Sequence, residues 1–333
     1  MPVSPRENIH AQILARHARS LHGTLRLEWR YSRSLQLAKA CFIYEPPRPQ
    51  PRRAAVLLYL FRGHEREWCN LHEDTSRKKS TALEDIDTLI NAGLLPPMVV
   101  VMPGLNSDDN AVPSLGINMV GAWPAKHTGL GSGRYWHYLT RELLPECEQR
   151  YAGPTTRKLM AGFSLGGYTV SLMAARLPGY FDEAGIYDGT LMWPGHRDPR
   201  QGGVALSDRV WLASPLFNAA LGKPRNRRAL RAWNATDIIA RAHGRTLHRL
   251  RRTRFWVAST THDGLRGNRD RAEHFRRLLL EKGCRLGFSQ TVLDQRAAHN
   301  WHWADRFLIR FLQEALLPAR AGTGRDSNAT SAN

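Results

Sequence analysis

Apolar residues in this chain occur in two arrangements. Unbroken runs at residues 54–61 and 98–102, and shorter ones at 159–161, 183–187 and 255–259, read as strands buried on both faces. Spaced apolar residues such as Leu83, Ile86, Leu89 and Ile90 instead predict an amphipathic helix over 81–92, stopped by Gly93. The same reading predicts helices over 134–151, 168–177, 268–281 and 303–317, and a last strand over 284–293. Strict alternation at 23–29 predicts a strand with one solvated face. With a second strand at 34–44 it forms an antiparallel ribbon at a sheet edge, ended by the proline-rich stretch 46–51. Buried strands alternating with helices give a mostly parallel central sheet with helices on both faces. Ligands bind such sheets beyond the carboxyl ends of the strands.

Two segments do not follow this rhythm. Residues 104–133 are rich in Gly, Ser and Asn, and a loop of that length is expected to be a lid or a binding loop. Residues 189–252 are irregular, with Trp193, Trp211 and Trp233 among many arginines, and read as an insertion over the active site. The expected plan is an N-terminal extension at 1–22, one domain at 23–318, and a Gly/Ser/Asn/Thr-rich tail at 319–333 without fixed structure.

The strongest chemical signal is Gly162-Phe-Ser164-Leu-Gly166, between the apolar run 159–161 and a small-residue helical run. Strand, sharp turn and helix are the context in which this spacing is a nucleophile elbow. The turn forces the serine backbone into a strained conformation, so the flanking positions must lack side chains. The hydroxyl then stands at a helix N-terminus, where free N–H groups stabilise developing negative charge.

A serine hydroxyl needs a base. Ala298-His-Asn-Trp-His302 follows the last predicted strand and offers His299, with His302 as competitor. The imidazole in turn needs an acid to fix its tautomer. Asp263, a few residues beyond the strand at 255–259, is the first choice, and Asp188, after the strand at 183–187, is the runner-up. Backbone donors for an oxyanion are expected at Leu165, after the nucleophile, and at His64, after Gly63. The spacing of His299 and His302 lacks the glutamate and third ligand of a metal site, and no metal or other cofactor is expected.

The chain carries a formal charge of +19, mostly through arginines spread from end to end. That balance is compatible with an anionic ester and bears on partners rather than on fold. No nucleic-acid-binding motif accompanies it, and no nucleic-acid partner is expected. Cys41, Cys69, Cys147 and Cys284 lie far apart without a C-x-x-C pair, which argues against a zinc ribbon or redox pair. The N-terminus has no secretory h-region and no apolar stretch has the length of a membrane span, so a cytoplasmic setting is expected.

Taken together, these residues resemble the putative-esterase branch of the α/β-hydrolases, which includes esterase D-type S-formylglutathione hydrolases, enterochelin esterases, feruloyl esterases and antigen 85 mycolyltransferases. The resemblance covers roughly residues 25–317. It rests on Tyr59-Leu-Phe-Arg-Gly63 with Trp68, Glu142-Leu-Leu-Pro-Glu146, Gly162-Phe-Ser-Leu-Gly-Gly167 with Pro178 and Phe181, Thr261-His-Asp-Gly-Leu265, and His299-Asn-Trp301. It implies the α/β-hydrolase fold, a Ser164–Asp263–His299 triad, and an oxyanion hole at the His64 and Leu165 amides. Arg62, Trp68 and Trp301 become candidates for the substrate pocket. Arg62 is itself a departure, since the family usually carries His or Asp before that glycine. The function implied is serine carboxylic-ester hydrolysis through an acyl-serine. An acyltransferase with an alcohol acceptor, or a non-catalytic protein binding an anionic partner through its basic surface, are the alternatives. The oligomeric state and the identity of the ester are not encoded in these motifs.

Overall fold

The computed structural model describes residues 5–47, 54–198, 206–261 and 267–317. The expected tail at 319–333 and most of the proline-rich stretch lie outside the described residues. Eight strands form one sheet: β1 (Thr24–Ser32), β2 (Leu37–Glu45), β3 (Val56–Phe61), β4 (Met98–Pro103), β5 (Arg157–Phe163), β6 (Glu183–Tyr187), β7 (Arg254–Ala258) and β8 (Arg285–Leu286). Their spatial order is β1-β2-β4-β3-β5-β6-β7-β8. β1 and β2 pair antiparallel at one edge, β2 meets β4 antiparallel, and the remaining pairs are parallel.

β3 and β4 are buried at every position, as their unbroken apolar runs require. Successive side chains of a strand point to opposite faces. Leu57, Tyr59 and Phe61 therefore enter one core with Leu139, Tyr168 and Leu172, while Leu58 and Leu60 enter a second core with Leu83, Ile86, Phe307 and Leu308. Each such side chain contributes about 1.5–3 kcal/mol by leaving water.

The helices in chain order are α1 (Pro5–Ser20), α2 (Ala82–Asn91), α3 (residues 135–151, with a π-helical middle at Tyr138–Leu143), α4 (Leu165–Arg176), α5 (Arg209–Ala213), α6 (Asn218–Leu221), α7 (Arg227–Ala232), α8 (Ala235–Arg241), α9 (Gly244–Leu250), α10 (Asn268–Glu281) and α11 (Trp301–Leu316). α2 begins with the Thr81–Glu84 capping box, which satisfies two backbone donors reciprocally. Among the described residues no helix is long and apolar enough to cross a membrane. The four cysteines are buried and unpaired.

Three features differ from the sequence expectation. The N-terminal extension contains α1, whose buried side carries His10, Ile13 and His17. Two histidines on that stripe hide its apolar periodicity; they are held by Glu65 (2.7 Å) and the Cys69 carbonyl (2.7 Å). Residues 189–252 are not irregular, because α5–α9 lie within them. The strand expected over 284–293 shrinks to β8 plus a bridge from Ser259 to Val292. At Gly287 the Trp256 indole occupies the space a side chain would need, and the chain turns away from the sheet there.

Candidate active site

Ser164 lies between β5 and α4 with φ 55° and ψ −116°, a conformation that L-residues rarely adopt. Its surroundings explain the two glycines. A Cβ at Gly162 would collide with the Gly166 carbonyl, and one at Gly166 with the Phe61 carbonyl at the end of β3. The elbow is fixed by bonds from Ser164 N–H to Tyr187 O (3.1 Å) and from Thr190 N–H to Ser164 O (3.1 Å).

His299 immediately precedes the N-cap of α11, Asn300, whose side chain accepts from Trp303 N–H at 3.2 Å. Asp74 and Ser76 accept the Trp301 and His302 N–H groups at 3.1 and 3.0 Å, so the loop after β3 also holds this helix start. The His299 ring packs on Phe163, with centroids 4.6 Å apart. His302, the competing base, is exposed to solvent.

Among the described residues, the carboxylate that meets His299 is Asp188. Its Oδ2 is hydrogen-bonded to His299 Nδ1. Oδ1 accepts from the Ser259 hydroxyl (2.8 Å) and the Thr260 N–H (3.4 Å), and Asn268 Nδ2 donates to Oδ2 (3.4 Å) and to the Asp188 carbonyl (3.1 Å). Burial pushes the Asp188 carboxyl up, but the His299 hydrogen bond and charge, with the Ser259 and Thr260 donors, outweigh it and hold the group below its ordinary value. The first-choice acid, Asp263, lies outside the described residues.

A cavity of about 340 Å³ brings Ser164 and His299 together, with Arg62, Leu165, Asn268 and Thr190 in its wall. Val210, Ser214, Leu216 and Phe217 close it from the insertion. Residues 104–133, expected as a lid or binding loop, contribute none of these lining residues. Within this stretch Asn106 approaches Gly63 in the loop after β3, and the Val120 and Gly121 N–H groups donate to the Ala220 and Ala219 carbonyls of the insertion. A larger cavity, of about 440 Å³, lies beside α11 and the 293–297 loop, but it contains neither Ser164 nor His299.

The oxyanion and pocket expectations are partly corrected. Leu165 is the first residue of α4, so its N–H has no intrahelical acceptor and stands at the cavity wall. The His64 N–H is already committed: it donates to Glu67 Oε2 at 2.5 Å, as does the Gly63 N–H at 2.7 Å. Trp68 and Trp301 do not line the cavity. They are 1% and 4% exposed and pack edge-on in the second core, with centroids 5.0 Å apart. Arg62 does line the cavity. Ser259, Asn268 and the insertion residues were invisible to motif reading, since only the strand order places them beside Asp188 or Ser164. Among the described residues no group of three or more His, Cys, Asp or Glu is placed to hold a metal ion.

A family model described as "Putative esterase" matches residues 32–303. No match is found among curated proteins. Solved structures similar in fold include a ferulic acid esterase, at 17% identity, TM-score 0.60, covering 88% of this chain and 97% of that one. An S-formylglutathione hydrolase from Agrobacterium tumefaciens is 19% identical, with TM-score 0.58 and coverage of 89% and 96%. FphF, a fluorophosphonate-binding serine hydrolase of Staphylococcus aureus, is 15% identical, with TM-score 0.60 and coverage of 87% and 97%. At these identities the likeness is one of fold.

Proposed function

The chain belongs to the "Putative esterase" family, and we propose that it hydrolyses carboxylic esters through an acyl-serine formed on Ser164. The observation that carries this reading is one cavity holding both Ser164 and a His299 whose Nδ1 is bound to Asp188. With Nδ1 engaged, Nε2 is the nitrogen left to take the Ser164 proton as the hydroxyl attacks the ester carbonyl. The same proton then passes to the leaving alcohol. Water, deprotonated by the same imidazole, attacks the acyl-serine, and the imidazolium returns that proton to Ser164 Oγ as the acid leaves. Asp188 stays ionised throughout, orients the ring and stabilises the imidazolium.

Negative charge on the carbonyl oxygen falls at the start of α4, where the Leu165 N–H and the helix dipole favour it. The His64 N–H can serve as a second donor only if Glu67 releases it. No cofactor takes part in this scheme.

Labelling with a fluorophosphonate probe tests the nucleophile. Wild type should label and lose ester hydrolysis, Ser164→Ala should not label, and His299→Ala should label far more slowly. Equal labelling of wild type and Ser164→Ala would reject the assignment.

A further inference from the structure

Among the described residues, the wall of the Ser164 cavity contains one permanent charge, and it is positive. Arg62 is the only Lys, Arg, Asp or Glu among the described lining residues; the others are Leu165, Thr190, Val210, Ser214, Leu216, Phe217 and Asn268 beside the reacting pair. Its guanidinium is also short of acceptors. The side chain is 19% exposed, its Nε is buried without a hydrogen-bond partner, and among the described residues its nearest carboxylate is Glu67, at 4.0 Å. Glu67 is turned elsewhere, since its other oxygen takes the Gly63 and His64 N–H groups. The guanidinium rests on the Phe163 ring at 5.2 Å, which fixes its plane without satisfying its donors.

A planar five-donor group held mostly buried beside Ser164, with no acceptor bonded to it among the described residues, is suited to a carboxylate or phosphate oxygen. We propose that the ester cleaved at Ser164 carries an anionic group, and that Arg62 binds that group. This rests on the reading of Ser164 as the nucleophile and adds a substrate class to it. The apolar residues opposite, Val210, Leu216 and Phe217, leave room for a short hydrocarbon between the anion and the scissile carbonyl. The rest of the protein's positive charge strengthens encounter with such a substrate at low salt, but cannot discriminate by position.

The test compares charged and neutral esters of matched shape at 0.5 M NaCl, where long-range steering is screened. On the acyl side, p-nitrophenyl hydrogen adipate is set against p-nitrophenyl hexanoate; on the alcohol side, 4-acetoxybenzoate is set against 4-acetoxybenzamide. In at least one pair the wild type should favour the anion in kcat/KM by about tenfold or more, the scale of one charge-assisted hydrogen bond. Arg62→Gln should bring that ratio close to one, and Arg62→Lys should retain part of it. A wild-type ratio at or below one in both pairs overturns the proposal, as does an Arg62→Gln ratio equal to that of wild type. Calorimetric binding of the same esters to Ser164→Ala, with and without Arg62→Gln, gives the ratio without turnover. If wild type neither labels with fluorophosphonate nor hydrolyses any ester, the nucleophile reading fails. The binding ratio then still decides whether Arg62 selects anions.

Discussion

His299 Nδ1 is hydrogen-bonded to Asp188, a carboxylate from the end of β6, 111 residues earlier in the chain. Four donors surround that carboxylate, and together they hold it ionised despite its burial. Asp188→Asn should therefore lower kcat by about 10³–10⁴-fold, because the amide presents the wrong hydrogen-bonding partner to the ring. Asp263→Asn should change kcat by less than about tenfold. Steady-state kinetics of both variants, with circular dichroism to check folding, decide between the two acids; the reverse ranking would make Asp263 the catalytic partner.

The same carboxylate makes a pH prediction whose sign follows from its depressed folded-state value. Ionised Asp188 stabilises the fold above its unfolded value, about 3.9, and that contribution is lost as pH falls through the lower folded value. The stability difference between wild type and Asp188→Asn should shrink as pH falls below about pH 4. Urea unfolding from about pH 5 downward measures it, and a difference that grows below about pH 4 would contradict the depressed value.

Ser164 at φ 55° and ψ −116° predicts a stability cost built into the elbow. Such backbone conformations cost on the order of 1–3 kcal/mol in non-glycine residues, whereas glycine loses only about 0.5–1 kcal/mol in chain entropy. Ser164→Gly should be more stable than Ser164→Ala by about 1 kcal/mol, although both are inactive. Their relative Tm values report this directly, and an alanine variant at least as stable as the glycine variant would show that the elbow is unstrained.

The sheet and the sharp turn that carries Ser164 were legible because each rests on local pattern. Unbroken apolar runs mark β3 and β4, and the Gly162 and Gly166 positions are dictated by backbone atoms close in sequence or in the adjoining strand. The acid was not decidable in this way. Asp188 and Asp263 both follow a strand in the sequence, and the neighbours that cradle Asp188 (Ser259, Thr260 and Asn268) come together only in the fold. Trp68 and Trp301 misled for a related reason: an aromatic residue beside a catalytic motif fits a pocket wall and a core equally well. His64 illustrates a third limit. Its position after Gly63 suggests a free N–H, but a glutamate three residues on occupies it. α1 was missed because histidines bonded to buried acceptors stand where its apolar stripe would be read.

The loop at 67–77 is held against the start of α11 by a buried ion pair that predicts how His299 is kept in place. Arg77 meets Asp305 through two bonds of 2.7 Å and donates to the Glu67 and Asn70 carbonyls, also at 2.7 Å, while its guanidinium lies 4.4 Å from the Trp301 ring centre. Removing one partner leaves the other charge buried without compensation, which costs about 3–5 kcal/mol. Asp305→Ala should be destabilised by that amount in urea unfolding, and its kcat should fall because Asp74 and Ser76, carried on the same loop, no longer fix the turn after His299. The double variant Arg77→Met with Asp305→Leu should be more stable than Asp305→Ala, since no charge is then left unpaired. A double variant that loses the sum of the two single losses would show that the residues act independently and that the pair does not couple the loop to the base.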